Sequence, residues 1–487
     1  MKIATTTVSE MKRPGHRLDA SYHASLGVKA LQYLEKWGGI KKHPNDSKPV
    51  LRESSVIYDE NRVELLSGIC ETGGIYIPSR FKRIFVDDEK HGTPYITGGS
   101  ILEADPLRGA KLLSNRFTAS MDDLALRKKM ILVTCSGTIG NATYVNENFK
   151  NAVGSPDLLR IIADPKSIPP GYLYAFINSK LGYSLIEQKT YGAVVKHIEA
   201  HHVYDLLVPR LSSTTEKEIH DLIEESSQHR VAANQELERV QKRFLNDVLG
   251  LEKNDLTWNH SNEHAFATGT AVLSMKHHRL DAFHYVGYVQ EAEDLLKDTV
   301  SLGELISPYQ PPVFKRPYTD ETGIPFLSGM DLYNAYPKPR LYISRKMPNL
   351  DRYLVEAGTI LVQNVGQRYG LFGRPTILQK HLDGVSVTQH LMRVYPKDSR
   401  DRGFVYIWLS TEVGRRLLLK QSFGTSMGVL FEHSFREMPA PKCSAALRHS
   451  FESEVQAICD YRDKANELED EAQSILLNAL GWDETSM

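Results

Sequence analysis

The sequence predicts an α+β protein made by duplication, with two strand-rich domains that are each followed by a long helix. Three observations lead there. Short motifs return in the same order 231 or 232 residues apart: Gly92-Thr93-Pro94-Tyr95-Ile96 is answered by Gly323-Ile324-Pro325-Phe326-Leu327, Phe176-Ile177-Asn178-Ser179 by Trp408-Leu409-Ser410-Thr411, and Leu249-Gly250 by Leu480-Gly481. So long a period is a duplicated domain, since solenoid units run about 20 to 50 residues. The 487-residue length agrees, because one core usually serves about 100 to 200 residues. Finally, each copy closes on about 35 residues with the alternating four-and-three apolar spacing of a helical seam.

The elements follow in order. Arg17-Leu18-Asp19-Ala20 opens the first copy and Arg279-Leu280-Asp281-Ala282 the second, 262 residues on, so the first copy carries about 31 extra residues before Pro94. They are expected around residues 27–61, without a counterpart. Apolar runs at 130–134 and 158–162 read as buried strands and 172–181 as a helix. Residues 359–362, 390–394 and 404–414 match them. A proline-bounded strand end, Leu207-Val208-Pro209 or Met438-Pro439-Ala440-Pro441, precedes each long helix. The predicted boundaries are a first domain at 1–212, a helix at 213–250, a second domain at 251–443 and a helix at 444–482.

The first seam runs through Ile219, Ile223, Ser226, Arg230, Ala233, Leu237, Val240 and Phe244. The second runs through Leu447, Phe451, Val455, Ile458, Ala465, Leu468, Ala472, Ile475 and Ala479, weakened near Tyr461 and Arg462. Helices of this length extend roughly 50 Å, so their apolar faces need partners. An antiparallel coiled coil with pseudo-twofold symmetry supplies them, with Ser226 and Arg230 fixing register.

Composition excludes several classes. With 41% hydrophobic and 24% charged residues the chain is of ordinary globular type. No apolar run approaches the roughly 20 residues of a membrane helix, and the first residues lack a secretory core, which points to the cytoplasm and no membrane. Cys70, Cys135, Cys443 and Cys459 are scattered, as reduced thiols are, and no metal site is expected. The net charge of −1 conceals a division: residues 214–249 carry −3 and 444–480 carry −5, leaving an excess of bases on the strand-rich stretches. Basic domains joined by acidic helices suit an anionic partner for the domains alone.

The order domain, long helix, duplicated domain, long helix resembles the DNA-specificity subunit of type I restriction-modification enzymes. The local residues agree: the two Arg-Leu-Asp-Ala motifs, the strand and turn Leu132-Val133-Thr134-Cys135-Ser136-Gly137-Thr138-Ile139-Gly140, the run Gly171-Tyr172-Leu173-Tyr174, then Tyr191-Gly192 with Lys196-His197-Ile198 and the closing Leu206-Leu207-Val208-Pro209. The resemblance implies two target-recognition domains, each reading one half of a split site in double-stranded DNA. It further implies helices that space the domains and dock methyltransferase subunits. A restricting system would add a DNA-translocating restriction subunit. It implies no catalysis and no cofactor on this chain, with S-adenosylmethionine on the methyltransferase partner.

The two copies differ where contacts belong. Ser136-Gly137-Thr138-Ile139-Gly140 becomes Asn364-Val365-Gly366-Gln367-Arg368-Tyr369-Gly370, and Tyr191-Gly192-Ala193-Val194-Val195-Lys196 becomes Phe423-Gly424-Thr425-Ser426-Met427-Gly428. Arg and Lys suit guanine, Asn and Gln suit adenine, and hydroxyls and bases suit phosphate. Candidate DNA contacts are therefore Ser136, Thr138, Tyr191, Lys196 and His197 in the first copy and Asn364, Gln367, Arg368, Tyr369, Thr425 and Ser426 in the second. Lys82-Arg83 and Lys315-Arg316 with Tyr318 are candidate phosphate grips. The Arg-Leu-Asp-Ala motifs read as buried anchors. His201-His202 and His277-His278 read as adjacent strand residues pointing apart, poor metal ligands.

No phosphate-binding loop, zinc-protease motif, nucleophile elbow, dinucleotide fingerprint or Asn-Pro-Pro-aromatic methyltransferase signature occurs. The alternatives are a cryptic nuclease or methyltransferase, and a protein adaptor that does not bind DNA. Salt-dependent binding to duplex DNA separates the adaptor from the reader.

Overall fold

The computed structural model describes residues 26–39, 62–190, 197–252, 256, 279, 282–285, 287–368, 370–424 and 427–482. It divides into two units, residues 1–231 with 464–487, and residues 232–463. Each unit thus holds one strand-rich domain and a stretch of both long helices.

In the first unit, helix α1 (Leu26–Trp37) and strand β1 (Arg62–Leu65) lead into β2 (Cys70–Tyr76), β3 (Phe85–Val86), β4 (Gly92–Ile96), β5 (Lys111–Ser114), β6 (Ile131–Thr134), β7 (Ala142–Tyr144), β8 (Val153–Gly154) and β9 (Leu158–Ala163). Helices α2 (Pro170–Asn178) and α3 (Lys180–Gln188), strand β10 (Leu207–Arg210) and the long helix α4 (Ser213–Phe244) follow. Two four-stranded sheets form, in the orders β2-β9-β6-β7 and β3-β5-β4-β8, and β1 pairs with β10. β6 is buried on both faces, which is why it reads as a continuous apolar run. Ile131 and Val133 pack with Tyr172, Phe176 and the long helices, while Leu132 faces Ile96 and Ile101.

Among the described residues, the second unit repeats this order and adds three short strands. It begins with α5 (Gly287–Asp294), β11 (Thr299–Ser301), β12 (Ile306–Tyr309), β13 (Tyr318–Thr319), β14 (Ile324–Leu327), β15 (Leu341–Ile343), β16 (Leu354–Val355), β17 (Ile360–Gln363), β18 (Val365–Gly366), β19 (Pro375–Ile377), β20 (Val385–Val387) and β21 (Leu391–Pro396). After these come α6 (Arg402–Ser410), α7 (Glu412–Lys420), β22 (Gly428–Val429), β23 (Pro439–Pro441) and the second long helix α8 (Ala445–Leu480). The sheets run β12-β21-β17-β19 and β13-β15-β14-β20-β16, with β11 on β23. The three additions are β16, β18 and β22. In both units one strand pair of the second sheet is parallel, β4 with β8 and β14 with β20.

Three expectations need correction. The predicted helices 172–181 and 404–414 are each two helices, because Ser179 and Thr411 stop the first and cap the next by accepting from the amides of Gly182 and Gly414, both at 3.0 Å. The extra segment does not begin at residue 27: α1 packs on α3 as α5 packs on α7, so most of the surplus lies in 40–61, outside the described residues. Ala479 is exposed, and Leu476 and Leu480 are buried in its place. This is the drift of a 3.6-residue helix away from a 3.5-residue repeat.

The long helices contact each other and the domain inside each unit. In the first unit, Ser226 Oγ donates to the carbonyl of Ala465 at 2.7 Å and Arg230 bonds Glu469 at 2.7 Å. Asn178 at the end of α2 donates to the other oxygen of Glu469 at 3.0 Å. Both polar interruptions of the seam thus have partners. In the second unit, Arg239 and Arg243 share Glu454 at 2.8 and 2.6 Å. Gly250 and Gly481, at φ +66° and +65°, end the helical runs in the left-handed conformation that favours glycine.

Glycine is also needed where α2 and α6 meet the long helices. A Cβ on Gly171 would lie 2.6 Å from His220 Nδ1, and one on Gly403 would lie 2.5 Å from the Phe451 backbone. The close approach gives each helix start an acceptor. The Gly171 amide donates to His220 Nδ1 at 3.0 Å, and the Gly403 amide donates to Glu452 Oε2 at 2.7 Å. Burial lowers the pKa of His220, so its neutral ring contributes stability in full above the unfolded value of about 6.5, lost as pH falls through the folded pKa. Thermal midpoints should therefore fall more steeply below about pH 6.5 in the wild type than in His220→Gln, whose amide oxygen still accepts. Parallel curves would refute this role.

Candidate nucleic-acid interface

The folding of each unit brings its two divergent loops together. In the first, Ser136 bridges His197 across two short backbone segments, and the Ile198 amide donates to the Cys135 carbonyl at 3.1 Å. In the second, the corresponding loops form the ribbon of β18 and β22, with Val365 opposite Val429 and Gly366 opposite Gly428. The same framework carries different side chains.

Individual candidates fare differently. Thr138 is exposed, and its carbonyl accepts from Thr134 Oγ1 at 2.5 Å, which closes the turn. Gln367 is exposed at the tip of the second-copy loop. Asn364 is not a surface reader: it is fully buried, with its side-chain amide donating to the Leu430 carbonyl at 3.3 Å. A side chain without access to solvent cannot meet a base edge. Arg368 is half-buried and ties the loops together, donating to Ser422 Oγ at 3.0 Å and to the Gly424 carbonyl at 2.6 Å. From the other side, buried Arg279 lies 3.9 Å over the Phe423 ring and donates to the carbonyl of Lys420 at 3.3 Å. The second opening motif thus anchors the candidate loop through its arginine. Tyr191, Lys196, Tyr369, Thr425 and Ser426 lie outside the described residues, as do Arg17, Asp19, Asp281, His277 and His278.

Of the basic pairs, Lys82 and Lys315 are exposed. Their neighbours are held. Arg83 pairs with Asp157 at 3.4 Å, and Arg316 donates to Gln389 Oε1 at 2.9 Å and Thr388 Oγ1 at 3.4 Å, above the Phe326 ring. Tyr318 is exposed and meets Phe326 edge-on at 6.2 Å. His201 and His202 are not on a strand: they lie in the 3₁₀ turn Ala200–Val203 with ring centroids 4.0 Å apart. All four cysteines are free, and burial pushes Cys70 up to about 12 and Cys135 up to about 11.

Sequence reasoning passed over a second duplicated pair. Arg160 and Arg393, 233 residues apart like Arg83 and Arg316, are both fully buried. Arg160 donates to the carbonyls of Gly154, Ser155 and Leu158 at 2.7, 2.8 and 2.5 Å. Arg393 donates to Leu391 at 2.8 Å and to Val387 at 3.4 Å. Each pins the turn that receives the other arginine, at Asp157 in one unit and at Thr388 and Gln389 in the other. Burial lowers the pKa of each to about 10, so both remain charged at neutral pH. The signal was an arginine inside an otherwise apolar strand, at the same place in both copies.

The sequence matches no family model and no curated protein. Solved structures do match. The chain is similar to the type I restriction-modification S subunit from M. genitalium, at 12% identity and TM-score 0.32, over 86% of this chain and 94% of that one. It is similar to the HsdS subunit from Thermoanaerobacter tengcongensis at 15% identity and TM-score 0.28, over 87% and 97%. A chain from a structure describing complex assembly and conformational transition of the type I R-M system matches at 14% identity and TM-score 0.27, over 88% and 99%. Among the described residues of the present chain, no helix is long and apolar enough to cross a membrane.

Proposed function

We propose that this chain is a sequence-specific DNA-binding subunit that reads a bipartite site and directs methyltransferase subunits to it, with a restriction subunit in systems that also cut. The observation that carries this proposal is the pair of loops that diverge in sequence yet meet at the same place on a duplicated framework. Two similar readers related by a pseudo-twofold suit two half-sites at a fixed span. The long helices, running antiparallel as a coiled coil, act as the ruler, and their acidic surfaces suit protein contacts while the basic domains suit phosphate. The chain itself carries no catalysis and no cofactor; S-adenosylmethionine belongs to the methyltransferase. In a reconstituted complex, site-specific methylation should require this chain, and methyl transfer or cutting by the purified chain alone would overturn the proposal.

Half-site independence has its own test. Gln367→Ala should weaken recognition of one half-site by roughly 1 to 3 kcal/mol, the value of a bidentate base contact, and leave the other half-site's preference intact. Binding-site selection reads this directly. Equal change in both half-sites, or in neither, removes Gln367 as a reader.

A further inference from the structure

The two arginines Arg83 and Arg316 occupy the same position in their copies, 233 residues apart, but they face different chemistry. In the first unit, Asp157 meets Arg83 at 3.4 Å and Arg80 at 3.7 Å, with side-chain exposures of 46% and 82% for the two guanidinium groups and 32% for the acid. The acid is itself fixed: Ser155 Oγ donates to it at 3.2 Å, and Arg160 holds the surrounding turn. In the second unit, the turn offers Arg316 only the neutral Thr388 and Gln389. Among the described residues, no carboxylate pairs with Arg316.

Asp157 also sits where two clefts of the first unit meet, with volumes of about 410 and 290 Å³. Both contain Ser136 from the candidate loop. The smaller adds the hydroxyls of Thr97, Thr134 and Thr138 beside Arg83. A carboxylate at that place competes with an incoming phosphate for the same two cations. Phosphate can win that competition, because exposed ion pairs are weak while Arg–phosphate bonds are charge-assisted and can be bidentate.

We propose that Asp157 is a built-in competitor for DNA phosphate that holds Arg80 and Arg83 in the first unit, whereas Arg316 in the second unit is held only by neutral partners that a phosphate can displace. This rests on the DNA-binding reading above. It makes the two domains unequal: the first discounts backbone contact in favour of its base-reading loops, and the second grips the backbone more readily.

The test is the salt dependence of binding by the full chain to random-sequence duplex DNA between 50 and 200 mM KCl. Each phosphate newly neutralised steepens the log–log slope by about 0.9. Asp157→Asn, which releases two arginines, should steepen it by about 1 to 2, roughly 3- to 12-fold in affinity across that range. Gln389→Glu gives Arg316 the acid it lacks and should flatten the slope by about 1. Opposite shifts from two near-isosteric changes do not arise from misfolding; if Asp157→Asn fails to fold, flattening by Gln389→Glu supports the proposal and an unchanged slope overturns it. Salt-dependent binding by the wild type with both variants unchanged defeats the role of Asp157 alone. A wild type without salt-dependent DNA binding defeats the DNA reading and this inference together.

Discussion

Phe244→Ala should cost about 3 to 5 kcal/mol of stability, the usual price of deleting a fully buried aromatic ring from a core. Phe244 has no exposed surface, and its ring centroid lies 5.2 Å from Phe404, 5.3 Å from Phe451 and 5.9 Å from Trp408. These contacts join the first long helix, the second long helix and the second strand-rich domain at one point. Little else nearby can move in to fill the space, because Val240, Phe404, Val405 and Val455 are themselves fully buried. Chemical denaturation should show the lost stability in the midpoint with a preserved slope. Loss below about 1 kcal/mol would mean that the cluster relaxes around the cavity.

Arg160→Ala should destabilise the first unit by an amount on the order of 3 to 5 kcal/mol, because three buried carbonyls lose a charged donor at once. Against this stands the relief of burying a cation that has no carboxylate beside it. The bonds win, since burial lowers the pKa only to about 10 and the guanidinium stays charged. Arg160→Met separates the effects by keeping most of the side-chain volume without the donors. It should recover packing but not the three donated bonds, so the Arg83 pairing with Asp157 loosens and most of the destabilisation persists. Stability equal to the wild type in Arg160→Ala would show that the turn holds itself.

Much of the framework was legible because it rests on period and repetition. The runs at 130–134 and 158–162 became β6 and β9, and 359–362 and 390–394 became β17 and β21, displaced by one or two residues. Buried strands read as continuous apolar runs whatever their neighbours are. The break at Ser179 and Thr411 was also written in the chain as a capping residue three before a glycine, but the apolar run across it hid the signal. The site was less legible. Nothing local distinguishes Asn364 from Gln367, three residues on in one loop. One is sealed under Leu430, and the other faces solvent.

The sequence by itself determined that the chain is a duplication with two long helices, because conserved spacing between copies and helical periodicity are properties of the chain alone. Only the tertiary structure decided which loop residues are buried, which arginines are held and by what. It also put part of both long helices into each unit. These outcomes depend on contacts between residues far apart in sequence, such as Arg83 with Asp157, Arg243 with Glu454 and Asn178 with Glu469. A charge pattern names the candidates for such contacts, but close packing and the need to satisfy every buried polar group choose among them.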